Sequence, residues 1–142
     1  MNIAPASQNS FSGAIDLLKK NNLPTEDLHP GTQLFVVEED NIVIATVAVE
    51  YDYNDALLRS LSVSEEKRTL GIGKKLVGFI EDYVKRQGVQ NIFLLTTTAA
   101  DFFSGRGYKI IDRTNIPAFI QNTKEYSVLC ASSSTLMKKQ LS

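Results

Sequence analysis

A mixed α/β (α+β) fold is what this sequence predicts, from three observations. Two segments carry apolar residues at helical spacing, several short runs rich in β-branched and aromatic residues lie between and after them, and turn-forming residues separate the runs. With 142 residues, 43% apolar and 22% charged, the chain has the size and composition of one globular domain. Residues 1–142 are accordingly read as a single domain, and neither repeats nor low-complexity tracts divide it.

The first helix is expected over residues 10–20, where Phe11, Ala14, Ile15, Leu17 and Leu18 recur on one face and Asn21-Asn22-Leu23-Pro24 ends the pattern. Thr25 can cap one further turn to Leu28 before His29-Pro30-Gly31 turns the chain. Residues 33–37 and 42–50 then form an antiparallel hairpin around the acidic turn Glu38-Glu39-Asp40-Asn41. A third strand is expected over 56–63, with Leu57, Arg59, Leu61 and Val63 on one face and Leu58, Ser60 and Ser62 on the other. From 71 to 87 the period becomes helical, through Ile72, Leu76, Val77, Phe79, Ile80, Tyr83 and Val84, and Gly88 stops it. Residues 91–97 read as a buried strand, 99–106 as a short helix, 108–111 as a strand, 117–122 as a short helix and 134–138 as the last strand.

Composition excludes several function classes. A formal charge of −1 creates no field that would draw the chain to nucleic acid or an anionic membrane. The apolar stretches fall well short of the roughly 20 residues of a membrane-spanning helix. Residues 1–10 lack the basic start and apolar run of a secretory signal, so cytoplasmic residence is the expectation. Cys130 and His29 are each the sole residue of their kind, which leaves no disulfide, no cysteine metal cluster and no motif for a zinc or serine-histidine enzyme. No metal is expected. Cys130 reads as a small buried filler and His29 as a loop residue.

The chemistry concentrates in Arg68-Thr69-Leu70-Gly71-Ile72-Gly73, which follows a strand and opens a helix. A helix's first turn presents backbone N–H groups without acceptors and the positive end of the peptide dipoles. Gly71 and Gly73 allow an anion close to the main chain, Arg68 adds a fork of charged donors, and Lys74 and Lys75 add charge at the rim. The spacing is neither that of a Walker loop nor that of the G-x-G-x-x-G dinucleotide fingerprint. The bland reading is a tight strand-to-helix turn with solvated basic residues.

In its context this segment resembles the signature R/Q-x-x-G-x-G/A of the GCN5-related N-acetyltransferases, the GNAT superfamily. The preceding L-L-R-S-L-S-V looks like that family's lead-in, with Ser64 and Glu65 in place of its usual small-residue and proline region. Residues 100–108, A-D-F-F-S-G-R-G-Y, look like its A-x-x-F-Y-x-x-x-G-F segment. More narrowly, L-L-R-S-L, L-L-T-T-T-A-A-D-F-F-S-G-R-G-Y and I-P-A-F-I-Q-N-T-K-E-Y-S-V-L-C-A-S-S are similar to acetyltransferase homologues found with arsenic-resistance genes. The resemblance implies a three-layer fold, with a mixed and mostly antiparallel central sheet between helices. It implies acetyl-CoA as co-substrate, a small-molecule amine as acceptor, and neither a nucleic-acid nor a membrane partner, with a homodimer left open.

By the same resemblance, main-chain groups of Leu61 and Val63 would meet the pantetheine arm, and Arg68, Leu70, Gly71, Ile72, Gly73 and Lys74 would surround the diphosphate. The family's usual acid, the tyrosine of the F-Y pair, corresponds to Phe103, which has no proton to donate. Tyr108, Tyr126 or water stands in for it, or the thiolate leaves unassisted. Glu50, Asp52 and Asp55 are candidates for the base, Glu50 and Asp55 foremost, against the bland reading of solvated loop acids. Arg59 interrupts an apolar alternation and therefore needs an anionic partner. Either it pairs with a nearby acid, or it binds a carboxylate of an amino acid-like acceptor. Tyr51 and Thr96 complete the candidate substrate contacts, with core packing and helix capping as their bland alternatives. A non-catalytic acyl-CoA-binding module and a scaffold without cofactor are the competing readings.

Overall fold

The computed structural model describes residues 1–23, 25, 28, 33–121 and 134–141. Its strands are β1 (Ile3–Pro5), β2 (Leu34–Glu39), β3 (Ile42–Tyr51), β4 (Asp55–Val63), β5 (Asn91–Thr96), β6 (Lys109–Ile110) and β7 (Thr135–Gln140). The helices are α1 (Gln8–Lys20), α2 (Ile72–Arg86), α3 (Ala100–Ser104) and α4 (Ala118–Gln121), with 3₁₀ turns at Glu65–Lys67 and Arg113–Asn115. One seven-stranded sheet runs in the order β1-β2-β3-β4-β5-β7-β6. Pairing is antiparallel at β1–β2, β2–β3, β5–β7 and β6–β7 and parallel at β4–β5, the mixed and mostly antiparallel sheet expected. Among the described residues, no helix is long and apolar enough to cross a membrane.

The chain divides into two compact units, Met1–Glu50 with Arg59–Ile80 and Tyr51–Leu58 with Glu81–Ser142. In the first, Ser7 starts α1 through a capping box with Ser10, each side chain accepting the other's backbone N–H. The buried stripe Ala14, Leu17 and Leu18 follows the predicted spacing, and Ala14 packs on Leu34, Val36 and Ala48. Phe35, pointing the other way from β2, meets Phe79 of α2 edge-on at 5.0 Å. Because successive strand side chains alternate between faces, α1 and α2 cover opposite faces of these strands. The β2–β3 turn is Asp40-Asn41, both at positive φ, the conformation that short-chain Asp and Asn tolerate and that a two-residue hairpin requires.

In the second unit, Leu57 lies opposite Phe93 in the β4–β5 register, and both pack with Ile116, Ile120 and Leu136. Each such buried side chain contributes about 1.5–3 kcal/mol. Gly88 at φ +92° ends α2, as expected of the glycine there.

Three features lie beyond the sequence reading. Strand β1 was not expected; it exists by pairing Ile3, Ala4 and Pro5 with Val37, Val36 and Phe35. Strand β4 does not alternate in exposure, for residues 56–60 are all buried. Strands on both sides leave it no edge, and Ser60, at φ +58°, interrupts the pleat. Finally, β7 inserts between β5 and β6. Thr25 and Leu28 are joined by a backbone hydrogen bond of 3.1 Å, in keeping with the turn expected there. His29, Tyr126 and Cys130 lie outside the described residues.

Candidate functional site

In the first unit, the end of β4 and the start of α2 bring together most of the predicted cofactor residues. Ser60 holds a left-handed backbone that costs a non-glycine residue on the order of 1 kcal/mol. Its carbonyl is fixed by the hydroxyl of Thr46, which donates to it at 2.8 Å. The Ser60 Oγ is buried without a hydrogen-bond partner among the described residues, the kind of atom a ligand can satisfy. Beyond it, Leu61 and Val63 are half-buried, and the chain enters the 3₁₀ turn, which Lys67 ties to Glu39 by an ion pair of 2.7 Å.

The loop that follows is open and conformationally special. Thr69 and Gly71 have φ of +75° and +81°, with Leu70 between them 63% exposed. A Cβ built on Gly71 would meet no atom within 4 Å. Glycine is needed here for its backbone and for the free space it leaves, not for packing. The carbonyl of Gly71 accepts the first helical bond of α2, from Lys75 N–H at 3.2 Å, so the N–H groups of Ile72, Gly73 and Lys74 precede any intrahelical acceptor. The first turn of α2 contains no acidic residue to neutralise its dipole, and Lys74 and Lys75 are exposed. Buried Ile72 anchors the turn. The geometry suits a phosphate-bearing ligand.

Arg68 is exposed but held. Its Nε donates to the Val63 carbonyl at 3.1 Å and its Nη2 to Asn21 Oδ1 at 2.9 Å. Asn21, at the end of α1, also donates through Nδ2 to Ser62 Oγ and to the Val63 carbonyl, the latter at 3.4 Å. Sequence reasoning registered Asn21 only as part of a helix stop. Its partners lie more than 40 residues away, beyond any local signal.

Arg59 and Glu50 form the other charged element of this unit. The Arg59 side chain is 1% exposed and donates from Nη1 to Glu50 Oε2 at 2.8 Å, whereas Glu50 is 32% exposed. Of the two readings of Arg59, pairing with a nearby acid is the one the geometry displays. A buried arginine without an anion would be strongly destabilising, so each residue accounts for the other.

In the second unit the candidates have partners of their own. Asp52 Oδ1 accepts the N–H groups of Asn54 and Asp55, a turn-forming role. Asp55 accepts from Asn91 Nδ2 at 3.3 Å. Tyr51 meets Tyr83 edge-on at 6.0 Å; hydrogen bonding to Tyr51, then burial, pushes the Tyr83 hydroxyl up to about 12. Thr96 Oγ1 accepts Ala99 N–H at 2.9 Å and so shapes the turn into α3. Phe103 is buried edge-on against Tyr108 at 5.6 Å.

Tyr108 itself is 2% exposed and donates to Glu81 Oε2 at 3.0 Å, while Lys139 pairs with the same carboxylate at 3.0 Å and lies over the Tyr108 ring. Burial, then the charge of Glu81 and the bond to it, raise the Tyr108 hydroxyl above the ordinary tyrosine value. A phenol so held is a poorer proton donor than free tyrosine. Glu81 was not singled out from the sequence, because on α2 it is one of two adjacent acids, with nothing local to mark it.

Residues 30–110 match the family model described as acetyltransferase (GNAT) domain. An uncharacterized N-acetyltransferase of Chlorobaculum tepidum is 38% identical over 84 residues, 58% of this chain and 54% of that protein. An amino-acid acetyltransferase of Pseudomonas fluorescens is 34% identical over 88 residues, 61% of this chain and 20% of that one. The chain thus spans about half of the first relative and a fifth of the second. Among solved structures, N-acetylglutamate synthase from Neisseria gonorrhoeae, complexed with coenzyme A and N-acetyl-glutamate, superposes with a TM-score of 0.85 at 18% identity. That match covers 99% of this chain and 35% of the synthase.

Proposed function

Since the chain belongs to the GNAT acetyltransferase domain family, we propose that residues 1–142 act as one acetyl-CoA-dependent N-acetyltransferase domain for the amine of a small molecule, an amino acid or amino acid-like acid. The observation that carries this reading is the loop before α2. Gly71 leaves open space at a left-handed position, the helix N-terminus beside it lacks an acid, and Arg68 is exposed next to both. Arg68, Leu70, Gly71, Ile72, Gly73 and Lys74 hold the diphosphate of acetyl-CoA, and Leu61 and Val63 present main-chain groups to its pantetheine arm.

Acetyl-CoA supplies the acetyl group as a thioester. The neutral amine forms the new N–C bond at the thioester carbonyl as the C–S bond breaks, CoA leaves as its thiolate, and the amine's surplus proton passes to a base. Glu50 is the proposed base, a partly exposed carboxylate fixed by Arg59, with Asp55 second. Tyr108, bound to Glu81, is assigned a structural role, and water replaces the missing acid at Phe103. Tyr51 remains a proposed acceptor contact, Arg59 is assigned to holding Glu50, and Thr96 to the turn into α3. The acidic acceptor is supported by the amino-acid acetyltransferase among the relatives. The narrower resemblance adds arsenic-containing amino acids to the proposed acceptors, and the proposed setting is the cytoplasm.

A non-catalytic acyl-CoA-binding module is the second reading, favoured by one feature: Phe103, at the family's tyrosine position, is buried in an aromatic stack. Calorimetry with acetyl-CoA tests the common part of both readings, and failure to bind at millimolar ligand removes both. Release of CoA thiol with amino acids, aminophosphinates, arsenic-containing amino acids and polyamines then separates them. Turnover with an acidic amine is the expected result; silence with every acceptor favours the binding module.

A further inference from the structure

We infer that Asn21 is a positioning residue for the acetyl-CoA cradle and acts through Arg68. The inference rests on the acetyl-CoA reading above. A guanidinium only donates hydrogen bonds, so the amide atom facing Arg68 Nη2 must be the oxygen. That orientation sends Nδ2 toward Ser62 Oγ and the Val63 carbonyl, both able to accept. The reverse orientation would set donor against donor at Arg68 and acceptor against acceptor at Val63, so chemistry alone fixes which way the amide points.

The anchor is rigid on both sides. Asn21 terminates α1 with its own N–H bonded to the carbonyls of Leu17 at 3.1 Å and Leu18 at 3.2 Å, and the last turns of that helix are buried through Leu17 and Leu18. Ser62, which receives the amide, is 5% exposed on β4. Between these supports, an exposed arginine on a flexible stem is held in one arrangement, by Asn21 at its tip and the Val63 carbonyl at Nε. Of the five N–H donors of a guanidinium these contacts occupy two, leaving three for phosphate oxygens. Ordering Arg68 before the ligand arrives removes that entropic cost from binding. A cap serving only α1 would have no reason to accept from Arg68, and the backbone N–H performs that capping whatever the side chain.

The test is a double-mutant cycle read by calorimetry with coenzyme A itself. Asn21→Ala is expected to raise the Kd for CoA about tenfold, on the order of 1.4 kcal/mol, and to raise KM for acetyl-CoA while leaving kcat unchanged. In an Arg68→Ala background the same substitution is expected to change neither value, because the residue through which it acts is gone. Ser62→Ala, which removes the amide's anchor and keeps the end of α1, should shift affinity in the same direction by a smaller factor. It takes the place of Asn21→Ala in the cycle if that variant does not fold. An unchanged Kd in the single variant, or an equal loss in both backgrounds, overturns the assignment of Asn21 alone. Absence of CoA binding by the unaltered protein overturns the acetyl-CoA reading and this inference together.

Discussion

The loop at Arg68 and the cluster around Tyr108 both combine charge with polar hydrogen bonds, yet they are built on opposite plans. In the loop, left-handed Thr69 and Gly71, exposed Arg68 and the first N–H groups of α2 leave donors available. In the cluster, Glu81 receives both the Tyr108 hydroxyl and Lys139, and little of it reaches solvent. A region with strained backbone and exposed donors is able to take up a ligand; one whose groups satisfy each other holds a fold together. The two arginines repeat the contrast, Arg59 buried on Glu50 and Arg68 exposed on a neutral amide.

The comparison can be broken by substitution. The largest effect is expected from Gly71→Val: a branched side chain at φ +81° is strained and fills the open space proposed for the diphosphate. Affinity for acetyl-CoA should fall by about a thousandfold, on the order of 4 kcal/mol, while urea denaturation registers only about 1–3 kcal/mol. Equal losses in both measurements would make Gly71 a packing residue. Next comes Glu50→Ala, which leaves the Arg59 charge buried; since Glu50 is partly exposed, denaturation should show a loss of about 2–3 kcal/mol, below the full value for a buried pair. If Glu50 is also the base, Glu50→Gln lowers kcat by about a hundredfold or more at unchanged acetyl-CoA affinity.

Tyr108→Phe removes one bond to a carboxylate that Lys139 still pairs, so about 1 kcal/mol of stability should be lost and kcat should stay within about twofold. A large fall in kcat would return Tyr108 to the acid role. The same variant tests the pH dependence. The Tyr108 hydroxyl is raised in the folded chain and lies near 10 when unfolded, so its contribution is intact below about pH 10 and declines above it as the unfolded chain releases the proton first. Denaturation curves in that alkaline range should therefore be flatter with pH for Tyr108→Phe, though Tyr83 keeps part of the slope. The smallest effect, about 0.5–1 kcal/mol with unchanged kinetics, is expected of Thr96→Ala, whose hydroxyl serves the turn into α3. A kinetic defect there would instead make Thr96 an acceptor contact.

Much of the architecture was legible because its causes are local. Asp40-Asn41 between two β-branched runs specifies a hairpin, and the apolar period from Ile72 to Val84 specifies a helix that Gly88 ends. The proposed cradle is legible for the same reason: strand end, glycine spacing and helix start are contiguous. Strand β1 was not, since three residues carry no periodicity and acquire their role only against Val37, Val36 and Phe35. The insertion of β7 between β5 and β6 is likewise a matter of long-range pairing.

What the sequence determined by itself was therefore the sheet-and-helix composition and the backbone chemistry of Arg68 to Gly73, where neighbouring residues interact with one another. Only the tertiary structure decided which acid answers Arg59, that Tyr108 belongs to Glu81 and Lys139, and that Asn21 reaches Arg68 from another helix. Side-chain pairing depends on distance in space, and a buried charge or donor accepts whatever partner the fold delivers.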